Sequence, residues 1–291
     1  MTLKANSSLK KDLILLIPTL GNNSLLTKTI SVCNDLGLSI LIIYQGNSNI
    51  KNLLPLENSN IQIIHIKNKV GVSKARNIGI KYLEKSSKHR FVMTLNESSI
   101  PNIDFINQAY MIFQNQYDLD VVCGSYLFHS GHKIESKSGL KNGWDFMKIP
   151  EPTMIIRLST LISIKGYDER LGTGSKSIAQ SGEGADLLFR ISKKNGKVLN
   201  LNLLSATDLR DYPQHSLRTD FGYGFGFSIV GRRNNMTLSC LIRVFSPFIF
   251  HLFRSRKGGK PRKFSNICAI CFGRGIGLLI PERFIFRKVN L

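Results

Sequence analysis

The sequence predicts an α/β protein in which a mixed, mostly parallel β-sheet carries helices on both faces. Short, nearly continuous apolar runs alternate with helical segments through the first 130 residues, a pattern typical of strands buried on both faces. Hydrophobic residues make up 42% of the 291 residues and charged residues 20%, which is enough apolar material for a large core. Glycine and polar residues gather where the apolar runs end, and open sheets of this kind bind ligands at the carboxyl ends of their strands.

The elements of the first half follow one another in a regular order. Strands are predicted at 12–19, 38–46, 61–66 and 90–95, with helices at 24–36 and 72–86 between them. The unusual residues at the strand ends are Pro18-Thr19, Tyr44-Gln45-Gly46, the stretch 68–77, and Asn96-Glu97-Ser98. We therefore expect a ligand site at this edge of the sheet.

The second half has a looser pattern. A glycine-rich turn at 165–177 precedes a predicted helix at 182–196, and a short strand, KVLNLNLL, follows. The composition changes near residue 235, so two regions are predicted: an α/β domain over 1–235 and a basic, amphipathic helical tail over 236–291.

The positive charge is concentrated in that tail. The formal net charge is +21, and residues 232–291 hold thirteen lysines and arginines against one acid, Glu282. Such an excess indicates a polyanionic partner: nucleic acid, an anionic membrane surface, or a phosphorylated substrate.

The tail itself favours the membrane. Residues 237–253 are apolar but interrupted, residues 254–263 contain six basic residues, and a second apolar stretch covers 264–281. Apolar segments flanking a polybasic loop indicate a peptide lying among anionic headgroups. The alternative is that these helices cover the globular domain and the loop is solvated. Nucleic acid is disfavoured as a partner, because no recognition motif appears and the charge is interleaved with apolar runs.

GVSKARNIGI (71–80) is the most specific segment of the chain. Gly71 permits a tight turn, and Ser73 is expected to cap a helix whose N-terminus faces the ligand site. Helix N-termini favour anions, and Lys74 and Arg76 add positive charge, so the segment predicts a phosphate-bearing ligand. The alternative is an ordinary capped helix with solvated basic residues.

Four segments in order, LIPTLGN (16–22), GVSKARNIGI (71–80), GYDERLGTGS (166–175) and GEGADLLFR (182–190), resemble the family-2 glycosyltransferases of bacterial surface-polysaccharide synthesis, over roughly residues 12–231. The resemblance implies a GT-A fold for the 1–235 domain. It also implies an inverting transfer of a sugar from a nucleoside-diphosphate donor, with UDP expected, to a lipid-linked glycan of O-antigen, capsule or lipopolysaccharide. The setting would be peripheral, on the cytoplasmic face of the bacterial inner membrane, where the tail would act as a membrane-associating segment.

The resemblance also implies roles for individual residues. Glu183 is the expected catalytic base, with Asp186 as a second catalytic candidate; both could instead be first-turn acids that complement the helix dipole. The residues expected at the donor are Pro18, Thr19, Gln45, Lys74, Arg76, Asn96, Glu97, Asp168 and Glu169. Of these, Pro18 and Thr19 would contact the base, Arg76 would line the nucleotide pocket, and Asp168 and Glu169 would lie near the transferred sugar.

Three positions depart from the family pattern. Tyr44-Gln45-Gly46 replaces the acid that contacts the base, Asn96-Glu97-Ser98 replaces Asp-x-Asp, and Gly184 replaces the second acid of the last motif. With three acids lost, a catalytically silent relative acting as a membrane-bound assembly partner is the alternative function.

The departures leave metal dependence open. Glu97 could hold Mn²⁺ or Mg²⁺, with Ser98 and His215 as weaker candidates, although hard cations prefer several oxygen ligands. Alternatively Lys74, Arg76 or His215 would offset the charge of the leaving group without a metal. His215 lies where the family often has a His-Pro pair, but a lone surface histidine is the simpler interpretation.

Overall fold

The computed structural model describes residues 11–21, 24–46, 60–86, 88–135, 137–211, 215–249 and 263–282. Within them the strands form a single sheet in the order β3-β2-β1-β4-β9-β6-β10-β5, with β7 beside β6 and β8 beside β10. This is the mixed, mostly parallel α/β architecture that the sequence predicts.

The first half supplies the parallel part of the sheet. Its elements are β1 (Leu13–Thr19), α1 (Ser24–Asp35), β2 (Ser39–Gln45), β3 (Ile61–Ile66), α2 (Val72–Ser86) and β4 (Phe91–Thr94). Strands β3, β2, β1 and β4 run parallel to one another. Every residue of β1 is buried, because helices cover both faces, and this explains why its sequence shows no polar alternation.

The second half brings in antiparallel strands. Its elements are β5 (Ser99–Pro101), α3 (Ile103–Asn115), β6 (Leu119–Phe128), β7 (Lys133–Ile134), β8 (Gly139–Lys141), β9 (Ile155–Arg157), α4 (Leu158–Ser163), α5 (Glu183–Ser192), β10 (Lys197–Asp208), α6 (Leu217–Arg233), α7 (Thr237–Ile242) and α8 (Phe264–Leu279). Two 3-10 helices cover Gly143–Lys148 and Glu151–Thr153. Strand β9 is antiparallel to both β4 and β6, and it joins the two halves of the sheet.

The core lies on both sides of the sheet. On one face, Ile14 and Leu16 of β1 belong to a cluster with buried residues of α2, α5 and α6. On the other, Leu13, Leu15 and Ile17 pack with buried residues of α1 and α3. The alternation of β1 between the two clusters positions the carboxyl end of this strand rigidly, and the expected ligand edge is at that end.

Helix α6 packs against α8 through glycines. A Cβ at Gly224 would collide with the carbonyl oxygen of Ile270, and one at Gly277 would lie 2.8 Å from the carbonyl oxygen of Phe225. The FGYGFGF segment (221–227) of α6 therefore packs closely through its glycines. This contact joins the two sides of the predicted boundary at residue 235. Across the described ranges, none of the helices combines the length and apolar character needed to span a bilayer.

Candidate active site

The carboxyl ends of β1 and β4 are joined by side chains. Thr19 Oγ1 donates a 2.5 Å hydrogen bond to Glu97 Oε2 and accepts one from the Gly21 amide at 3.2 Å. Pro18 is buried immediately before Thr19. Two of the residues expected at the donor, Thr19 and Glu97, are thus brought together although 78 positions separate them.

Gln45 lies at the carboxyl end of β2, next to that edge. Its side chain is buried, and its Oε1 accepts a 3.0 Å hydrogen bond from the backbone amide of Val70. Gln45 therefore fixes the segment that leads into α2, and its amide oxygen is already used within the protein.

The start of α2 is covered by the loop at 171–175. The Val72 amide donates to the carbonyl of Thr173 at 3.0 Å, and Ser73 Oγ donates to the carbonyl of Leu171 at 2.6 Å. Gly71 has φ +87°, and a Cβ there would lie 2.7 Å from the carbonyl oxygen of Gly174. The expectation that Ser73 caps this helix is wrong: α2 begins at Val72, and the Ser73 hydroxyl holds the loop instead.

Arg76 is a buried member of an ion-pair cluster. Its side chain is only 2% exposed. Nη2 lies 2.5 Å from Glu151 Oε2, Nη1 lies 3.5 Å from Glu183 Oε1, and the guanidinium packs over the ring of Tyr167. Arg76 is therefore paired with two carboxylates inside the protein, and its expected place at the nucleotide pocket stays a prediction. Lys74, by contrast, is half-exposed and lies 3.9 Å from Glu169.

Glu151 is the residue of this cluster that sequence reasoning missed. Its side chain is 9% exposed, and its Oε1 accepts hydrogen bonds from Thr94 and, at 2.7 Å, from the Tyr167 hydroxyl. A Cβ at Gly184 would lie 2.9 Å from the Cβ of Glu151. The glycine that replaces the second acid of the motif thus leaves the space in which Glu151 lies. The departure at Gly184 was the one sequence signal that pointed to this arrangement.

Glu183 is the first residue of α5 and retains a small opening to solvent, since its side chain is 15% exposed. Burial raises the pKa of Glu183, the charge of Arg76 opposes this shift, and the carboxylate of Glu151 adds to it. The net pKa is above the ordinary value. A carboxylate whose pKa is raised toward neutrality is better matched to accepting a proton than an ordinary exposed one.

Asp168 and Asp186 belong to a second ion-pair cluster. Arg233 Nη1 lies 2.9 Å from Asp168 Oδ2 and 3.2 Å from Asp186 Oδ1, and Arg190 also pairs with Asp186 at 2.8 Å. Burial alone would raise the pKa of Asp168, but its hydrogen bonds to Arg170 and the charges of Arg170 and Arg233 bring it down to about 2. These two acids are therefore paired with arginines, and in the described part of the chain Asp186 and Glu183 have no arginine in common.

Asp208 and Arg210 form a third network beside Glu97, and sequence reasoning missed both. Ser98 Oγ donates to Asp208 Oδ1 at 2.7 Å, and the Tyr126 hydroxyl donates to Oδ2 at 2.9 Å. Arg210 donates to the same carboxylate through Nε and Nη2, each at 3.2 Å. The predicted strand ended at residue 204, whereas β10 continues to Asp208 and so brings these residues to the edge of the sheet.

His215 lies at the start of α6. Its ring packs edge-on against Tyr223, and its carbonyl oxygen accepts a 2.8 Å hydrogen bond from Asn266 of α8. Asn96 also follows β4, and its side chain forms a hydrogen bond with the side chain of Tyr126. Over the part of the chain that the structure describes, no three His, Cys, Asp or Glu side chains are grouped so that they could hold a metal ion.

Comparison with solved structures identifies the fold. No family model and no curated protein sequence matches the chain. Crystal structures of residues 1–349 of Staphylococcus aureus TarS are similar: the UDP-GlcNAc complex has a TM-score of 0.57 at 11% identity, covering 81% of this chain and 73% of that one. The UDP complex has a TM-score of 0.54 at 14% identity, covering 81% and 72%. The chain spans 65% of TarS 1–349 and 39% of the longer TarS structure in two further comparisons. The chain therefore has the α/β fold of TarS, in agreement with the predicted fold class.

Proposed function

We propose that this chain is an inverting, family-2-type glycosyltransferase that uses a nucleoside-diphosphate sugar, with UDP as the nucleotide. The observation that carries the proposal is Glu183, a largely buried carboxylate with a raised pKa that Arg76 and Glu151 connect to the carboxyl end of β4. Thr94, the last residue of β4, bonds Glu151, which Arg76 connects to Glu183. Glu97, expected at the donor, follows three residues after Thr94.

The chemistry follows from that placement. Glu183 would accept the proton of an acceptor hydroxyl while the hydroxyl oxygen forms the new bond to the anomeric carbon. The bond from that carbon to the diphosphate oxygen breaks in the same step, and the nucleoside diphosphate leaves with the electron pair. Attack from the face opposite to the leaving group inverts the anomeric centre. The fold supports this assignment, because TarS structures with the same fold hold UDP-GlcNAc or UDP.

The acceptor is proposed to be a glycan carried on a lipid, in the synthesis of a bacterial surface polysaccharide. The support is an exposed apolar surface after α6, which we call the apolar stripe: Leu238, Leu241, Ile242, Phe245 and Ile249. Leu238, Leu241 and Ile242 belong to α7, and Phe245 and Ile249 lie in the seven residues that follow it. Exposed apolar side chains next to basic residues suit the surface of an anionic membrane, on its cytoplasmic side. The polybasic residues 254–262 lie outside the described residues.

Calorimetry with UDP-GlcNAc and UDP, followed by a transfer or donor-hydrolysis assay, tests the proposal. Wild-type protein is expected to bind both ligands, and Glu183→Gln is expected to bind them equally well but to lose turnover. Asp186→Asn is the matched comparison, an acid on the same helix that is committed to Arg190 and Arg233. Nucleotide binding without turnover in the wild type would favour the catalytically silent alternative, and no nucleotide binding at all would refute the donor site.

A further inference from the structure

The carboxylates beside β4 are poorly suited to a divalent cation. Both oxygens of Asp208 are engaged: Oδ1 accepts from Ser98 and from Arg210, and Oδ2 accepts from Tyr126 and from Arg210. Glu97 Oε2 accepts from Thr19 at 2.5 Å. Hard divalent cations take several oxygen ligands that are free to coordinate. The donor set at this edge therefore does not fit Mg²⁺ or Mn²⁺.

A guanidinium lies among these same carboxylates. Burial lowers the pKa of Arg210, but its hydrogen bonds to Asp208 and the charges of Asp208 and Glu97 raise it overall, so the group stays cationic. Its side chain is 44% exposed, so a ligand can reach it. Arg210 Nε and Nη2 face Asp208, whereas Nη1 makes no hydrogen bond to any residue in the described ranges.

The protein fixes Arg210 from several directions. The Leu209 amide donates to the carbonyl of Ser98 at 2.8 Å, and the Arg210 carbonyl accepts from the His129 amide at 3.1 Å. Asp208, only 1% exposed, accepts two hydrogen bonds from the guanidinium and so fixes its orientation. An arginine positioned in this way presents a planar array of donors to phosphate oxygens without losing much conformational freedom on binding.

The other cations expected to offset the leaving-group charge are placed differently. Arg76 is buried between two carboxylates, Lys74 lies on α2 beside Glu169, and His215 packs against Tyr223. Of these four, Arg210 is accessible and is held beside the Asn96-Glu97-Ser98 segment through Asp208, which bonds both Arg210 and Ser98.

We propose that Arg210 binds the diphosphate of the nucleotide donor in the place where related enzymes would use a divalent cation. This inference rests on the proposed function and deepens it, since it makes donor binding independent of metal. When the diphosphate leaves, the guanidinium stabilises the negative charge that develops on its oxygens. Asp208 is then a positioning residue that acts through Arg210.

The test is calorimetric binding of UDP, uridine and inorganic pyrophosphate, each in EDTA and in Mn²⁺. Wild-type protein is expected to bind UDP equally in both conditions. Arg210→Ala is expected to weaken UDP and pyrophosphate binding roughly tenfold to a hundredfold, which is the loss of hydrogen bonds to a charged group, and to leave uridine binding unchanged. Arg210→Lys keeps the charge but not the planar array of donors, so its affinity for UDP is expected to lie between those of the wild type and Arg210→Ala. Arg218→Ala removes an exposed arginine of α6 and is the matched control, with no effect expected.

The outcomes separate this inference from the function on which it rests. UDP binding that is lost in EDTA and restored by Mn²⁺, or that is unchanged in Arg210→Ala, would overturn the role of Arg210 and leave the glycosyltransferase standing. Wild-type protein that binds pyrophosphate through Arg210 but neither UDP nor UDP-GlcNAc would overturn the function and retain the anion site. Failure to bind either UDP or pyrophosphate would overturn both. Thermal melting of each variant shows whether a loss of binding reflects a loss of fold.

Discussion

Glu151→Ala is expected to lower the free energy of unfolding by about 3–5 kcal/mol, since removing one partner of a buried ion pair leaves the other charge uncompensated. The charge left without its partner is that of Arg76, which is buried and then has, among the described residues, only Glu183 as a carboxylate partner, at 3.5 Å. The hydroxyls of Thr94 and Tyr167 lose their acceptor in the same variant. The loss is therefore expected toward the upper part of that range.

Urea unfolding followed by circular dichroism measures this cost. The matched control is Glu135→Ala, which removes an ion pair of 2.7 Å with Lys133 that is exposed on both sides. An exposed pair contributes about 0–1 kcal/mol, so the control should stay close to the wild type. The double variant Arg76→Met with Glu151→Ala is expected to be more stable than Glu151→Ala alone, because it removes the stranded charge. Equal costs for the two glutamates, or no recovery in the double variant, would refute the buried-cluster interpretation.

Three further outcomes are expected. Because the pKa of Glu183 is raised in the folded protein, the free energy of unfolding of the wild type should fall as pH rises through that pKa. Glu183→Gln should abolish this fall, and below about pH 4 the free energies of unfolding of the two proteins should change with pH in the same way. Gly224→Ala should lower the free energy of unfolding by about 1–3 kcal/mol, because the added Cβ would collide with α8. Gly275 lies in a helix interior and faces open space, so Gly275→Ala should raise the free energy of unfolding by about 0.5–1 kcal/mol. Leu241→Asp with Phe245→Asp should weaken binding to vesicles of anionic phospholipid and leave the melting temperature unchanged, because both side chains are exposed.

Each of these has a result that contradicts it. Parallel pH profiles for wild type and Glu183→Gln would mean that this carboxyl titrates normally. Equal melting temperatures for the two alanine variants would show that α6 and α8 are not in close contact. Unchanged vesicle binding by the doubly charged variant would remove the apolar stripe from the membrane-facing surface.

The parallel half of the fold could be predicted from the sequence because local signals agree with the tertiary structure there. The four predicted strands at 12–19, 38–46, 61–66 and 90–95 match β1 to β4 within a residue or two at each end. Their apolar runs are continuous because both faces are buried, and that property is readable without knowing the partners. Helix α2 shows the same agreement, with bounds equal to those predicted.

The site was harder to predict because its contacts join distant parts of the chain. Arg76 looks like a solvated or ligand-facing cation in its own segment, and only the approach of Glu151, 75 positions away, shows that it is buried in an ion pair. Arg210 was missed for a related reason: its importance depends on the end of β10 lying beside Ser98, 110 positions from Asp208. Apart from the missing acid at Gly184, no local pattern indicates these pairings.

Arg233 has a practical consequence for how the C-terminal segment can be studied. Its Nε lies 2.8 Å from Glu282, which follows α8, while its Nη1 contacts Asp168 and Asp186 in the α/β part of the chain. Shortening the chain at residue 235 would remove the glutamate and also uncover the glycine-lined side of α6. Such a truncation would change the charge balance around α5 and would also remove any lipid affinity of the tail. An assay on the shortened protein could not distinguish these two effects. Point substitutions on the apolar stripe separate them.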